Sequence, residues 1–136
     1  MSFKIELDHI GIATQSIEGS PFFKTLGLEV GGLEEVPTEK VKVGFFQTGN
    51  NASIELLEPT SGESPIAKFM DKRGPGIHHI CFRVQGIDDL VAHLKASGVQ
   101  LINEVPRVGA HNCRVVFIHP KSTGGVLVEL SEKASL

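Results

Sequence analysis

Apolar and polar residues alternate in short runs along the chain, and turns rich in glycine, proline or serine separate these runs. Such alternation is typical of strands with one buried face. In the first half it predicts strands near Lys4–Thr14, Leu28–Glu35, Val41–Thr48 and Ala52–Glu58. In the second half it predicts strands near Ile77–Val84, Val99–Glu104, Cys113–Ile118 and Val126–Ser131.

Three segments carry helix signals instead. In the first of them, Ser20 is a favourable cap, Pro21 suits the first helical position, and Gly27 suits the end of the helix. In the third, apolar residues recur with helical spacing. The predicted helices lie near Ser20–Leu26, Ser64–Lys72 and Asp88–Ser97.

The two halves of the chain repeat one another. The segments DHIGIATQSIEG and HHICFRVQGIDD align His9 with His79, an offset of 70 (79 − 9). The segments SIELLEP and VLVELSE align Glu55 with Glu129, an offset of 74 (129 − 55). This period is too long for a solenoid. We therefore predict one α+β domain over residues 1–136, with a βαβββ module at about 1–60, a connecting helix at about 64–73 and a second module at about 76–136.

Strand alternation assigns four polar side chains to one face of the sheet. In the first predicted strand, Ile10 and Ile12 take the core face, which leaves His9 on the opposite face. The same reasoning applies to the three equivalent strands of the two modules. It places the following side chains opposite the core: Glu55, His79 and Glu129.

Two imidazoles and two carboxylates at matched positions indicate a metal site. Buried charges are costly unless they are paired or bound to a cation. These donors suit Co²⁺, Ni²⁺, Mn²⁺, Zn²⁺ or Fe²⁺, and four ligands leave about two positions for substrate or water. Singly, a histidine or glutamate on a strand is more typical of a surface or hydrogen-bonded residue. We expect such ordinary roles for the remaining histidines His78, His93 and His119, with His111 left open.

Composition narrows the choice of partners. The net charge is −3 and the basic residues are scattered, so nothing indicates a nucleic-acid or anionic-membrane surface. Cys81 and Cys113 lie in apolar runs without metal-knuckle spacing, which is typical of reduced, buried thiols. Without a signal segment or a bilayer-length apolar run, we expect a soluble, cytoplasmic protein whose partners are small molecules or copies of itself.

The motifs DHIGIA, IELLEP, SPIAKFM, GIHHICFRV, VGAHN and FIHPKSTGGVLVEL occur in this order over nearly the whole chain. Together they resemble the methylmalonyl-CoA epimerase family of the vicinal-oxygen-chelate superfamily. The resemblance implies a cupped mixed sheet around a divalent metal, with cobalt preferred and manganese, nickel or zinc as alternatives. It also implies an acyl-CoA substrate, a homodimer, and metal ligands at His9, Glu55, His79 and Glu129.

The resemblance further implies inversion at C2 of methylmalonyl-CoA, which needs an acid–base group on each side of the carbon. Glu129 is one candidate. The second is Glu55, because many family members carry an acidic residue where this chain has Val43; a purely metal-binding role for Glu55 is the alternative, and His111 is a weaker candidate. The loop residues Gly109, Ala110 and His111 are expected to bind the substrate carboxylate through backbone N–H groups.

Two other functions fit parts of the same pattern. A glutathione-dependent lyase or isomerase of the glyoxalase type uses similar metal ligands and likewise stabilises an enediolate. The motif FIHPKSTGGVLVEL counts against this function. A non-catalytic small-molecule-binding protein of the same fold is the third possibility, and the four retained ligands count against it.

Overall fold

A computed structural model describes residues 3–134, and within that range the chain forms eight strands and three α-helices. The strands are β1 (Ile5–Ala13), β2 (Glu29–Val36), β3 (Val41–Gln47), β4 (Ser53–Pro59), β5 (Gly76–Val84), β6 (Arg107–Val108), β7 (Cys113–Ile118) and β8 (Leu127–Lys133). The α-helices are α1 (Phe22–Leu26), α2 (Pro65–Arg73) and α3 (Ile87–Ala96).

The chain divides into two compact units. The first unit contains residues 9–78, and the second unit contains residues 3–8 and 79–134. In the first unit the strand order is β2-β3-β4-β1, with β1 and β4 parallel and the other pairs antiparallel. In the second unit the order is β5-β8-β7-β6, and here β5 and β8 form the parallel pair. The predicted α+β fold of two repeated modules is confirmed, whereas its description as one domain stays a prediction.

Each unit has its own apolar core. In the second unit, α3 packs its buried residues Ile87, Leu90 and Val91 against strand residues that include Val84 and Val116. These strand residues lie on the face opposite His79, as alternation predicts. In the first unit, α2 packs instead against the sheet face that carries His9. The buried residues of that second core are Ala13, Val41, Val43, Leu57 and Ile66.

The predicted strand Val99–Glu104 is wrong. A single bridge joins Leu101 to Ile118, and the regular pairing with β7 belongs instead to the two-residue strand β6. At position 103 a side chain takes the place of the backbone ladder, since the Asn103 amide donates to the Val115 carbonyl at 3.1 Å and accepts from the Phe117 N–H at 2.8 Å. Two backbone hydrogen bonds flank the Leu101 bridge, from the Ile102 N–H to the Phe117 carbonyl at 2.8 Å and from the His119 N–H to the Gln100 carbonyl at 2.9 Å. Pairing with β7 is therefore confined to residues 100–102 and does not form a regular strand.

The start of α1 also differs from the prediction. The helix begins at Phe22, with Pro21 at the cap position, and the Ser20 hydroxyl donates to the Ser16 carbonyl at 2.7 Å. Ser20 thus closes the preceding loop and does not cap the helix. The end is as predicted, because Gly27 adopts the left-handed conformation with φ of 104°. None of the described helices combines the length and apolarity needed to cross a bilayer.

Candidate metal centre

His9 and Glu55 lie side by side in the first unit. His9 is on β1, and Glu55 is on β4, where its backbone is opposite Gly11. His9 Nδ1 is 3.2 Å from Glu55 Oε2, and the two side chains are only 13% and 16% exposed. Parallel pairing of β1 with β4 therefore brings an imidazole and a carboxylate together on one sheet face, although they are 46 positions apart along the chain (55 − 9).

His79 and Glu129 form the equivalent pair in the second unit. His79 is on β5, and Glu129 is on β8, where its backbone is opposite Cys81. A ring nitrogen of His79 and a carboxylate oxygen of Glu129 lie within 4.8 Å of one another, and both residues are half-buried. Each unit thus repeats the same combination of one imidazole and one carboxylate.

The donor atoms of each pair suit a divalent cation. Two ligand atoms bound to one ion at about 2.1 Å lie about 3 Å apart at a right angle and about 4.2 Å apart in opposite positions. The separation in the first unit, 3.2 Å, fits the first arrangement, and the pair of the second unit lies within 4.8 Å. Mixed nitrogen and oxygen donors also favour a catalytic transition-metal site over a structural zinc site.

Val43 occupies the position at which the family resemblance implies an acidic residue in many members. Its side chain is 6% exposed and packs in the first-unit core with Ala13, Leu57 and Ile66. An ionised group in these surroundings would lose its hydration without a partner, at a cost of several kcal/mol. The carboxylate of the first unit that contacts His9 is instead supplied by Glu55 on β4.

The loop predicted to bind substrate lies between β6 and β7. The Gly109 N–H donates to the Cys113 carbonyl at 2.7 Å, so this amide closes the hairpin. A Cβ at Gly109 would also lie 3.1 Å from Val115 Cγ2, so a larger residue there would require the Val115 side chain to shift by a few tenths of an ångström. His111 is exposed with φ of 57°, in a short 3₁₀ turn that includes Ala110. Substrate binding by Gly109, Ala110 and His111 stays a prediction.

The other histidines have local structural contacts. His78 is half-buried with its ring edge-on to Phe69 at 5.0 Å, and burial lowers the pKa of this imidazole. The exposed His93 lies 5.7 Å from the Phe3 ring. His119 Nδ1 accepts from the Lys121 N–H at 3.0 Å. Neither cysteine forms a disulfide within residues 3–134; Cys81 is buried and Cys113 half-buried.

The sequence prediction missed two structural carboxylates. Glu58 Oε1 accepts from the Ile17 N–H at 2.8 Å, and Glu132 Oε2 accepts from the Gly86 N–H at 2.5 Å. Each glutamate thereby ties the last strand of its module to the loop that follows the first strand. The repeat carried this signal, since their offset of 74 (132 − 58) equals that of Glu55 and Glu129.

An ion pair beside the candidate centre was also missed. Arg83 Nη1 donates to Asp8 Oδ1 at 2.9 Å, and both residues belong to the second unit. Asp8 directly precedes His9, whereas Arg83 follows His79 by four positions on the same face of β5. Alternation indicated the face of Arg83, but it gave no means of identifying its partner.

Comparisons with known proteins bear on this arrangement. Residues 8–117 match the family described as Glyoxalase/Bleomycin resistance protein/Dioxygenase superfamily. The chain is 41% identical over 130 residues to the ethylmalonyl-CoA/methylmalonyl-CoA epimerase of Cereibacter sphaeroides, covering 93% of this chain and 96% of the relative. It is similar to the crystal structure of methylmalonyl-CoA epimerase from Mycobacterium tuberculosis, with a TM-score of 0.81, 39% identity and coverage of 95% and 88%.

A further solved structure contains a bound ligand. It is a Streptomyces coelicolor methylmalonyl-CoA epimerase variant in complex with 2-nitronate-propionyl-CoA. Its TM-score is 0.79 and its identity 33%, with 99% of this chain and 98% of that chain covered.

Proposed function

This chain belongs to the methylmalonyl-CoA epimerase family of the Glyoxalase/Bleomycin resistance protein/Dioxygenase superfamily, and we propose that it interconverts the two C2 epimers of methylmalonyl-CoA. The observation that carries this proposal is the imidazole–carboxylate pair repeated in each unit, His9 with Glu55 and His79 with Glu129. A duplicated module with no catalytic role has no need to keep both pairs.

The same four side chains are proposed to hold one divalent cation, with cobalt expected and manganese, nickel or zinc as alternatives. Such an ion supplies Lewis-acid stabilisation of the negative charge that develops on the thioester oxygen when C2 loses its proton. Support comes from the donor atoms and their separation within each pair.

Glu129 and Glu55 are proposed to carry the proton transfers. One carboxylate takes the C2 proton, and the electrons of the C–H bond delocalise toward the thioester carbonyl. The other residue, in its acid form, donates a proton to the opposite side of C2, which inverts the centre and leaves the composition of the substrate unchanged. Strand alternation supports these roles, since it places both carboxylates on the faces that carry His9 and His79.

Deuterium wash-in at C2 tests the proposed reaction. Purified protein is incubated in D₂O with methylmalonyl-CoA of one configuration, with and without a chelator. We expect deuterium at C2 together with inversion, and loss of both after chelation. Ethylmalonyl-CoA in a parallel assay measures how large an acyl group the site accepts.

Two outcomes of that assay contradict the proposal. Absence of exchange, combined with turnover of a methylglyoxal–glutathione hemithioacetal, would identify a lyase or isomerase of the glyoxalase type. Binding of the acyl-CoA without exchange or turnover of either compound would identify a non-catalytic binding protein.

We also propose that two copies of this chain form a homodimer. A homodimer is supported by β2, which ends the strand order of the first unit and leaves a strand edge for pairing. Exposed apolar side chains on and near it also favour association, because large apolar surfaces are usually covered. They are Phe22, Leu26, Val30 and Leu33. The cytoplasmic location expected from the sequence stays a prediction.

A further inference from the structure

The two modules differ at the strand positions beyond their imidazole–carboxylate pairs. In the first unit, Ala13 and Leu57 follow His9 and Glu55 on the same face, and α2 packs over them through Ile66. The repeat offsets of 70 and 74 make Arg83 and Ser131 the equivalent residues of the second unit (83 − 13 and 131 − 57). An apolar, helix-covered surface in one module thus corresponds to a polar surface in the other.

A cleft of about 530 Å³ lies in the second unit at this polar end. Its volume falls in the range of small-molecule sites. Its lining includes more cationic than anionic side chains, although the whole chain has a net charge of −3. The cations are Lys4, Arg83, Arg114 and Lys133, and the carboxylates are Glu6 and Glu132.

These cations are not equally available to a ligand. Arg114 donates to both oxygens of Asp88, at 2.9 and 2.7 Å, and lies 3.9 Å from Glu132. Arg83 contacts Asp8 through one nitrogen and is 32% exposed. Lys4 and Lys133 are exposed. An anionic ligand in the cleft would therefore meet two ammonium groups and the guanidinium of Arg83.

The cleft lies at the ends of the strands of its unit, because its lining combines Arg83 and Lys133 with Val84 and Glu132 from the opposite sheet face. Arg83 lies four residues beyond His79 on β5, and Lys133 lies four residues beyond Glu129 on β8. Because side chains four residues apart share a strand face and each residue rises about 3.3 Å, both cations lie about 13 Å from the pair His79 and Glu129. The pantetheine arm of an acyl-CoA spans a comparable length between its acyl group and its nucleotide phosphates.

We infer that this cleft binds the phosphate groups of the nucleotide end of acyl-CoA, with Lys133, Lys4 and Arg83 as the contacting side chains. The inference rests on the proposed function for the identity of the ligand, but the complementarity of charge is independent of turnover. Arginine and lysine are the usual phosphate-binding residues, and such contacts weaken with increasing salt.

Substrate truncation tests the inference during turnover. Methylmalonyl-CoA is compared with methylmalonyl-pantetheine, which lacks the nucleotide, in the wild type, in Lys133→Gln and in Arg83→Gln. We expect the wild type to have a higher kcat/KM for the CoA ester than for the pantetheine ester. Each variant should reduce this preference about tenfold, as expected for the loss of one charge-assisted hydrogen bond. Lys121→Gln, an exposed lysine outside the cleft lining, is the matched control and should keep the wild-type preference.

Calorimetric binding of adenosine 3′,5′-bisphosphate tests the cleft without any turnover. Affinity should fall about tenfold in Lys133→Gln, and it should rise in Glu6→Gln because a repelling carboxylate is removed. Thermal melting of each variant checks that it is folded, which matters most for Arg83→Gln because it loses the Asp8 contact.

The possible outcomes separate the two proposals. If wild type epimerises methylmalonyl-CoA but neither the substrate preference nor bisphosphate binding changes in Lys133→Gln, the inference is overturned and the proposed function stands. If no epimerisation occurs yet bisphosphate binding depends on Lys133 and Glu6 as described, the cleft binds nucleotide phosphates and the proposed function fails.

Discussion

Glutamates three positions apart have different roles because alternate strand residues face opposite sides of the sheet. Glu55 and Glu129 lie on the faces that carry His9 and His79. Glu58 and Glu132 point the other way and accept backbone N–H groups of the loops after β1 and β5. Each module therefore uses one carboxylate for the candidate centre and another to hold its own architecture.

His79→Ala should abolish metal retention, because it removes one of four proposed ligands while Glu129 remains. Protein loaded with Co²⁺ and passed through gel filtration is measured by metal analysis, and circular dichroism checks the fold. His93→Ala, on the exposed side of α3, is the control and should keep the metal. Full cobalt occupancy in His79→Ala would remove His79 from the site.

Glu129→Gln and Glu55→Gln should separate the two proton transfers. Glutamine keeps an oxygen that can bind a metal, but its amide accepts no proton near neutral pH. We therefore expect the rate of epimerisation to fall about 10²- to 10⁴-fold in each variant. Solvent exchange at C2, followed by proton NMR, should persist for one epimer in one variant and for the other epimer in the second.

Glu18→Gln, an exposed glutamate outside the two pairs, should exchange both epimers at the wild-type rate. A single variant that loses exchange of both epimers, beside a second variant that loses neither, would leave one acid–base residue unidentified and return Glu55 to a purely metal-binding role.

At the level of secondary structure, two contacts hold the start of α3 to the strands of the second unit. Arg114 on β7 donates two hydrogen bonds to Asp88 in the first helical turn, and Glu132 on β8 accepts from Gly86 at the cap. The hydrogen bonds from Arg114 lower the pKa of the Asp88 carboxyl. The helix that covers the core of this unit is thus oriented by its amino-terminal end.

Asp88→Asn should lower Tm at neutral pH, and the difference from wild type should disappear in acid. Because the folded-state pKa of Asp88 is depressed, its contribution is present above the ordinary carboxyl range near pH 4 and is lost as the pH falls through the folded value. Circular dichroism melts between pH 7 and 3 measure this. Asp89→Asn, the neighbouring exposed carboxylate, is the control; an equal pH-dependent change there would assign the effect to general helix-terminal charge.

At the level of the whole molecule, we expect two chains of 14.6 kDa to associate through the first unit. Leu33→Glu places a charge on the exposed edge strand β2 and should shift the mass from dimer to monomer, as measured by light scattering after gel filtration. Glu35→Lys, on the same strand, alters charge without removing apolar surface and should stay dimeric. A monomeric wild type, or a dimeric Leu33→Glu, would contradict this interface.

Much of this fold was accessible from the sequence. The family resemblance and the α+β class are confirmed, and seven of the eight predicted strands overlap strands that the described residues form. The exception, Val99–Glu104, pairs with β7 only around Leu101, because at position 103 the Asn103 side chain supplies hydrogen bonds that a backbone ladder would otherwise make. A pattern of apolar residues indicates which side chains are buried. It does not indicate which groups form hydrogen bonds with the backbone N–H and C=O groups.

The sequence by itself determined the duplication, the alternation that sets His9, Glu55, His79 and Glu129 apart, and the family motifs, because strand periodicity and repeated segments are local properties of a chain. Only the tertiary structure decided that α2 covers Ala13 and Leu57, that Arg83 contacts Asp8, and that Gly109 donates to Cys113. These depend on which hydrogen-bonding, charged and apolar groups come within reach after folding. Short-range patterns along the chain do not specify those distances.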